Sequence, residues 1–594
     1  MKARLFSLAA LFAAVACSGG SGSRPDGAGA IGPGPGAAAA HPGPAPAAGG
    51  AKSPEFDRFV EDFFTARFAF EPTSGTETGL HQYDSTLEDY SRERIAVRVH
   101  ELEELRTRLR GIDRASLGFD DAIDHQALEG QIEAELLDLV TLRVFEVNPM
   151  PYTGLAGRAI DSLIKRDFAP AAERLRAVIA REKAVPAIYR AGRAAVKNPP
   201  REFTEIAIRR AKGSIGFFEG SVATWARSAA GADAGLWKEF EDANRAVVAE
   251  TKSFATWLEK DLLPRSKGNY AIGEATFLAK LKYEEMVDTP LAELLARGET
   301  QLEKDHAAFV EVARAIDAKK SPAAVVAALS RTHPTPERLV PSVKESVEGA
   351  RGYLVEKGIV TIPSEVRPRI EETPPYARAG GFASMDTPGP FEKSATEAFY
   401  YVTPVEKDWT RKHKEEHLRL FNPWVISLIT IHEAYPGHYL QFLYAPRFPT
   451  RTRKLIFSGT NVEGWAHYCE QMMVDEGFGG DDPRFRLAQL SEALVRDARY
   501  VVGIKLHTAG WTVEQGAKLF VDKAFQEPAN GYEEARRGTY NPTYLYYTLG
   551  KLEIQALRDE YRAKKGASLR EFHDAFVSQG GLPIPLVRKI LFRE

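Results

Sequence analysis

The residues best suited to chemistry in this chain are seven in a row, His432-Glu433-Ala434-Tyr435-Pro436-Gly437-His438, directly after an apolar helical run from Val425 to Ile431. Two imidazoles and a carboxylate this close together are what a hydrolytic zinc site needs. Neutral imidazoles hold the ion, and the glutamate beside the first takes a proton from the water that the ion activates. The spacing is irregular, however. Histidines four apart, as in H-E-x-x-H, lie ~40° off one helix face, whereas histidines six apart lie ~120° off. Pro436 and Gly437 fall in the gap, and neither suits a helix interior. The seven residues read as a zinc site on a bent helix or as a coincidence. The first reading requires the helix to kink or loop out between Glu433 and His438.

Zinc wants a third protein ligand. Six of the thirteen histidines fall between His413 and His507, which directs the search to that region. Glu463, 25 residues beyond His438 in Thr460-Asn461-Val462-Glu463-Gly464-Trp465-Ala466-His467-Tyr468, is the leading candidate. The same residues also spell a capping box, in which Glu463 would reach back to a helix start at Thr460. His467, one turn later, competes as a ligand. Glu470 is placed to accept the far ring N–H of a ligating histidine.

The surrounding sequence must position these groups. At 594 residues and 44% hydrophobic, the chain can bury a large core and form two or more lobes. Basic and acidic residues nearly cancel, 78 against 81, and beyond the first residues there is no dense basic run, so nothing suggests a nucleic-acid partner. Residues 1–17 read as an export signal, with Lys2 and Arg4 ahead of an apolar stretch too short to span a bilayer. Ala14-Val15-Ala16-Cys17 resembles a lipobox, making Cys17 the lipidated residue; ordinary signal-peptide cleavage is the alternative. Residues 18–52, rich in Gly, Ala, Pro and Ser, read as a flexible tether. Cys17 and Cys469 are not expected to pair. No other stretch approaches the length of a membrane span, so the membrane is met only through the lipid anchor.

From Pro54 onward the pattern predicts a mainly α protein. Phe56, Phe59, Val60 and Phe63 recur at helical spacing, as do Leu102, Leu105 and Leu109, and Leu291, Leu294 and Leu295. Residues 359–404 break the rhythm with seven prolines, Gly380-Gly381 and the β-prone Phe399-Tyr400-Tyr401-Val402. They predict a small sheet or hairpin, either lining the metal site and offering a strand to substrate or merely connecting helices. An N-terminal helical lobe over 53–285 and a C-terminal catalytic lobe over 286–594 are expected.

Three stretches together resemble one family, the bacterial domain of unknown function 885, whose members are often lipoproteins. They are His432 to Gln441, Glu463 to Tyr468, and Asn541 to Lys551, supported by Arg537-Gly538-Thr539 and Pro374-Pro375 to Gly381. The resemblance extends over residues 55–594. The family looks distantly similar to thimet-oligopeptidase-type zinc peptidases, which implies a two-lobed helical fold with a deep channel and a third ligand about 25 residues after the second histidine. It implies His432, His438 and Glu463 as ligands of one Zn2+, with Glu433 as general base. The chain departs in the two extra residues between its histidines, and in His467, where the family usually has an apolar residue.

The resemblance further implies oxyanion donors on a late helix, Tyr547 first, in Tyr-x-x-Gly, and Tyr544 second, with Tyr540 just before them as a substrate contact; the alternative is a Tyr-rich helix that is core with polar tips. Arg537 would clamp a substrate carboxylate, as a carboxypeptidase or dipeptidase requires, or else form a surface salt bridge. His507 would bond substrate or oxyanion, or be structural. The expectation is a zinc metallopeptidase of the cell envelope acting on short peptides. A hydrolase of another amide or ester, and a peptide-binding lipoprotein without turnover, are the alternatives. Oligomeric state is not legible.

Overall fold

The computed structural model describes residues 53–373, 378, 382–406 and 409–594. The export signal with Cys17, the tether, and most of the Pro374 to Gly381 segment lie outside the described residues. The protein is mostly helical with one small sheet, as the sequence predicts. Its first helix, Pro54–Phe70, shows why. Pro54 pre-sets the first turn, the Ser53 side chain accepts from the Phe56 N–H at 3.3 Å, and Phe56, Phe59 and Phe63 are buried on one face. Leu102, Leu105 and Leu109 are buried likewise on Arg92–Gly111. Of the Leu291 group, only Leu294 is fully buried.

The largest core joins Phe56, Phe63, Leu105 and Leu128 to Trp465, Tyr468, Phe576 and Leu586, so the N-terminal helices close against the C-terminal part of the chain. A second core is built almost wholly from residues 145–262, including Tyr152, Leu163, Tyr189, Phe218 and Phe254. Helical periodicity specifies which face is apolar, not which distant face will cover it.

The Pro-rich region forms a three-stranded sheet of β1 (Arg369–Glu372), β2 (Ala383–Asp386) and β3 (Phe399–Val402), in the order β1-β3-β2. β3 runs parallel to β1 and antiparallel to β2, with Tyr400 opposite both Ile370 and Met385. Every residue of β3 is buried: Tyr400 and Val402 join the main core, while Arg166 lies over the Phe399 ring at 5.4 Å. The sheet does reach the motif helix, since the Tyr400 hydroxyl approaches Thr430 Oγ1 at 3.5 Å. β3 has a neighbour on each side, however, so it has no free edge to offer a substrate; only β1 and β2 are edge strands. Among the described residues no helix is long and apolar enough to cross a membrane.

Candidate metal centre

The apolar run becomes the helix Pro423–Glu433, started by Pro423 and by Asn422, whose side chain accepts from the Val425 N–H at 3.1 Å. It stops where the sequence demanded. Ala434 caps its C-terminal end, the Tyr435–Pro436 peptide is cis, and a new helix, His438–Leu443, begins at the second histidine. The turn is tight: the Gly437 N–H donates to the Ile431 carbonyl at 2.9 Å, and a Cβ on Gly437 would fall 1.8 Å from the His432 carbonyl oxygen. Trp465 fixes it from across the core by donating Nε1–H to the Pro436 carbonyl at 2.9 Å. Histidines six apart thereby face each other, with ring centroids 4.9 Å apart.

Glu463 completes the group. Its Oε2 lies 3.5 Å from Nε2 of both His432 and His438, and donor atoms of all three lie within 4.8 Å of one another. All three residues are buried, and it is the one such group of three among the described residues. Two ligands of a tetrahedral zinc, each about 2.0–2.1 Å from the ion, stand about 3.4 Å apart, so the 3.5 Å separations fit this ion. Among the described residues neither ring nitrogen of His438 has a hydrogen-bond partner, nor does Glu463 Oε2. Such buried, unsatisfied donor atoms are of the kind that could hold a cation.

The capping-box reading of Glu463 is overturned. Its helix, Gly459–Asp475, begins two residues earlier than the box requires, with Ser458 as the cap, accepting from the Asn461 N–H. Glu285, from a distant helix, accepts from the Gly459 and Thr460 N–H groups at 2.8 and 2.9 Å. With the helix start satisfied by other groups, Glu463 is free to face the histidines.

Glu470, two turns further on, aligns His432. Its Oε1 accepts from His432 Nδ1–H at 2.6 Å, which leaves Nε2 available to a metal ion, and Arg496 Nη2 holds the same oxygen at 3.0 Å. Burial pushes the Glu470 carboxyl up, but Arg496 and the histidines outweigh it and hold the group well below the usual carboxylate range. Burial opposes charge on His432, yet the Glu463 and Glu470 carboxylates carry it up to about 9. His467 is not in the cluster. Its Nδ1 faces Glu470 Oε2 at 3.3 Å, and burial, helped by Lys551, pushes it down to about 3, so it is neutral. Glu433 follows His432 in the chain, and its Oε2 is enclosed and has no hydrogen-bond partner among the described residues.

The late tyrosines diverge. Tyr547 lies in the first turn of the helix Tyr546–Lys565, which packs on the Glu463 helix with backbones in contact: a Cβ on Gly464 would lie 2.6 Å from Gly550 Cα, and one on Gly550 would lie 2.0 Å from the Thr460 carbonyl oxygen. The Tyr-x-x-Gly pattern thus lets Tyr547 approach Glu463, whose charge adds to burial in raising the phenol. The Tyr547 hydroxyl accepts from Arg537 Nη2 at 3.1 Å. Tyr544 is turned elsewhere, its ring against Gly503 and Gly538 and its hydroxyl 3.4 Å from the Glu534 carbonyl. His507 sits outside the cluster. Burial pushes it down to about 4, and the neutral ring gives Nε2–H to the Gly538 carbonyl at 2.7 Å, supporting the helix that carries Arg537. Tyr540 ends that helix, edge-on to Phe203. Arg537 is buried, which excludes the surface salt bridge.

Arg496 and Glu285 escaped the sequence reading. Nothing local marks either one; an arginine on a largely buried helix face, Pro483–Thr508, was the available signal for Arg496.

The family model described as a bacterial protein of unknown function, DUF885, matches residues 72–591. The chain belongs to this family. No curated protein matches it. A solved structure from Shewanella oneidensis, described as a candidate lipoprotein of unknown function, is similar with 25% identity and a TM-score of 0.75, over 91% of this chain and all of the other. A candidate lipoprotein from Colwellia psychrerythraea has the same fold, with 17% identity, a TM-score of 0.75, and coverage of 91% of this chain and 99% of its own.

Proposed function

We propose that this member of DUF885 is a zinc-dependent hydrolase, in the first instance a metallopeptidase cleaving short peptides. The observation that carries the reading is the convergence of His432, His438 and Glu463 donor atoms within 4.8 Å, with Glu433 adjacent. Zinc in this site would polarise the scissile carbonyl and make water a nucleophile near neutral pH. The chain's own groups supply the remainder. Glu433 takes the proton of the attacking water and returns it to the leaving amine. Tyr547 donates to the developing oxyanion, its hydroxyl oriented by Arg537. Glu470 and Arg496 keep His432 in the tautomer that presents Nε2.

A passive peptide-binding scaffold has no use for Glu433, which is not one of the three clustered donors. The lipobox-like residues before Cys17 and the lipoprotein descriptions of the similar structures support a lipid-anchored enzyme on the periplasmic side of the cell envelope. The deciding experiment is digestion of a peptide library by wild type and Glu433→Gln at equal metal content. Cleavage by the wild type alone supports the proposal; equal cleavage by both removes Glu433 from the mechanism, and cleavage by neither rejects the peptidase reading.

A further inference from the structure

Arg537 is 2% exposed, and its one hydrogen bond is to the neutral Tyr547 hydroxyl. Among the described residues its Nε has no partner and no carboxylate lies within 4.0 Å of it. A buried guanidinium without a counter-charge is expensive, and folded proteins keep one where an anion will join it.

The nearby carboxylates are already committed. Glu534 gives both oxygens to Arg499, at 2.7 and 2.8 Å. Glu533 is paired with Arg536 and lies 3.6 Å from Arg209. A second uncompensated guanidinium, Arg210, acts with Arg537 on the Tyr540 phenol, and Arg210 Nη1 would be 3.5 Å from a Cβ on Gly154. Positive charge therefore exceeds negative where the helix Arg201–Gly216 of the second core meets the helix Pro528–Tyr540 beside the metal centre.

We propose that Arg537, assisted by Arg210 and Tyr540, binds the free C-terminal carboxylate of the substrate, so that the enzyme releases residues from peptide C-termini. The assignment rests on the peptidase reading above and narrows its substrate class. Its reach follows from Tyr547, which contacts Arg537 and faces the oxyanion. An extended chain covers about 3.5 Å per residue, so a carboxylate held beside Tyr547 lies only one or two residues beyond the scissile carbonyl. The fork of Arg537 supports two parallel N–H···O bonds to a carboxylate, and Nε is one of the donors it has free.

The test measures binding of N-terminally fluorescent pentapeptides to Glu433→Gln protein, with zinc quantified on the same sample. One peptide ends in a free acid, one in an amide, and one in an amidated glutamate that carries its carboxylate on the side chain. The free acid is expected to bind at least about 10-fold more tightly than either amide, as for a buried charge-assisted pair. Adding Arg537→Met should bring the acid down to the amide's affinity with zinc content and thermal midpoint maintained; adding Arg210→Met should remove part of the preference. Equal binding of acid and amide to zinc-loaded protein overturns the carboxylate site and leaves the peptidase reading standing. Equal binding of the acid and the glutamate amide overturns the C-terminal assignment. Failure of all three to bind also overturns it, and absence of zinc in that sample takes the parent reading down as well.

Discussion

Replacing Gly437 with alanine tests whether the break between the histidines is what builds the metal centre. The added Cβ would lie 1.8 Å from the His432 carbonyl oxygen, 2.5 Å from its carbon and 2.5 Å from the Ile431 carbonyl oxygen. An ordinary C···O contact is about 3.3 Å or more, so the turn must open by roughly 1.5 Å. The oxygens it meets are backbone atoms of the helix carrying His432, and the next residue is His438. The opening therefore falls directly on the separation between the two ligands. Metal–ligand distances tolerate only about 0.2 Å of error, so His438 should drop out of coordination. The expected cost is at least about 100-fold in zinc affinity, or roughly 2.7 kcal/mol. The assay is competition with a chromophoric chelator, with circular dichroism on the same sample to confirm that the helices persist. Wild-type zinc affinity in a folded Gly437→Ala protein would refute the reasoning.

Glu470→Gln keeps the size of the side chain but weakens the anchor of His432, and should cost about 10- to 100-fold in zinc affinity by the same competition assay. Gly550→Ala forces a Cβ to 2.0 Å from the Thr460 carbonyl oxygen, and should lower stability in urea melts by about 1–3 kcal/mol or more while displacing Tyr547 from Glu463. Glu182 is fully buried with neither oxygen partnered, and burial raises its carboxyl well above the usual range. Above the ordinary carboxylate pKa the unfolded chain has released this proton while the folded chain retains it, so stability falls as pH rises past that point. Glu182→Leu should therefore raise the thermal midpoint more at pH 8 than at pH 4.5.

The sequence carried the site further than the fold around it. Glycine and proline between His432 and His438 mark a helix break on local grounds, and a break is what lets those side chains converge. Glu463 was ambiguous because the same four residues can cap a helix; what settles it is Glu285, 178 residues upstream, accepting the N–H groups at that helix start. Arg496 was illegible for the same reason, since its partner Glu470 is on another helix. Tyr544 and Tyr547 look interchangeable on a helical wheel. The structure separates them through Gly503 and Gly538, which take the Tyr544 ring, and through the glycine contact that draws Tyr547 toward Glu463. How the helices are shared among cores was less legible, because the side chains that join Phe56 and Leu105 in one core, Trp465 and Phe576 among them, lie hundreds of residues later.

Elemental analysis of the purified chain, set beside His438→Ala and Glu463→Ala variants, tests the central claim most directly. One zinc per wild-type chain and none in either folded variant is the expected result. A folded wild-type protein without metal, or variants that retain it in full, would contradict the account.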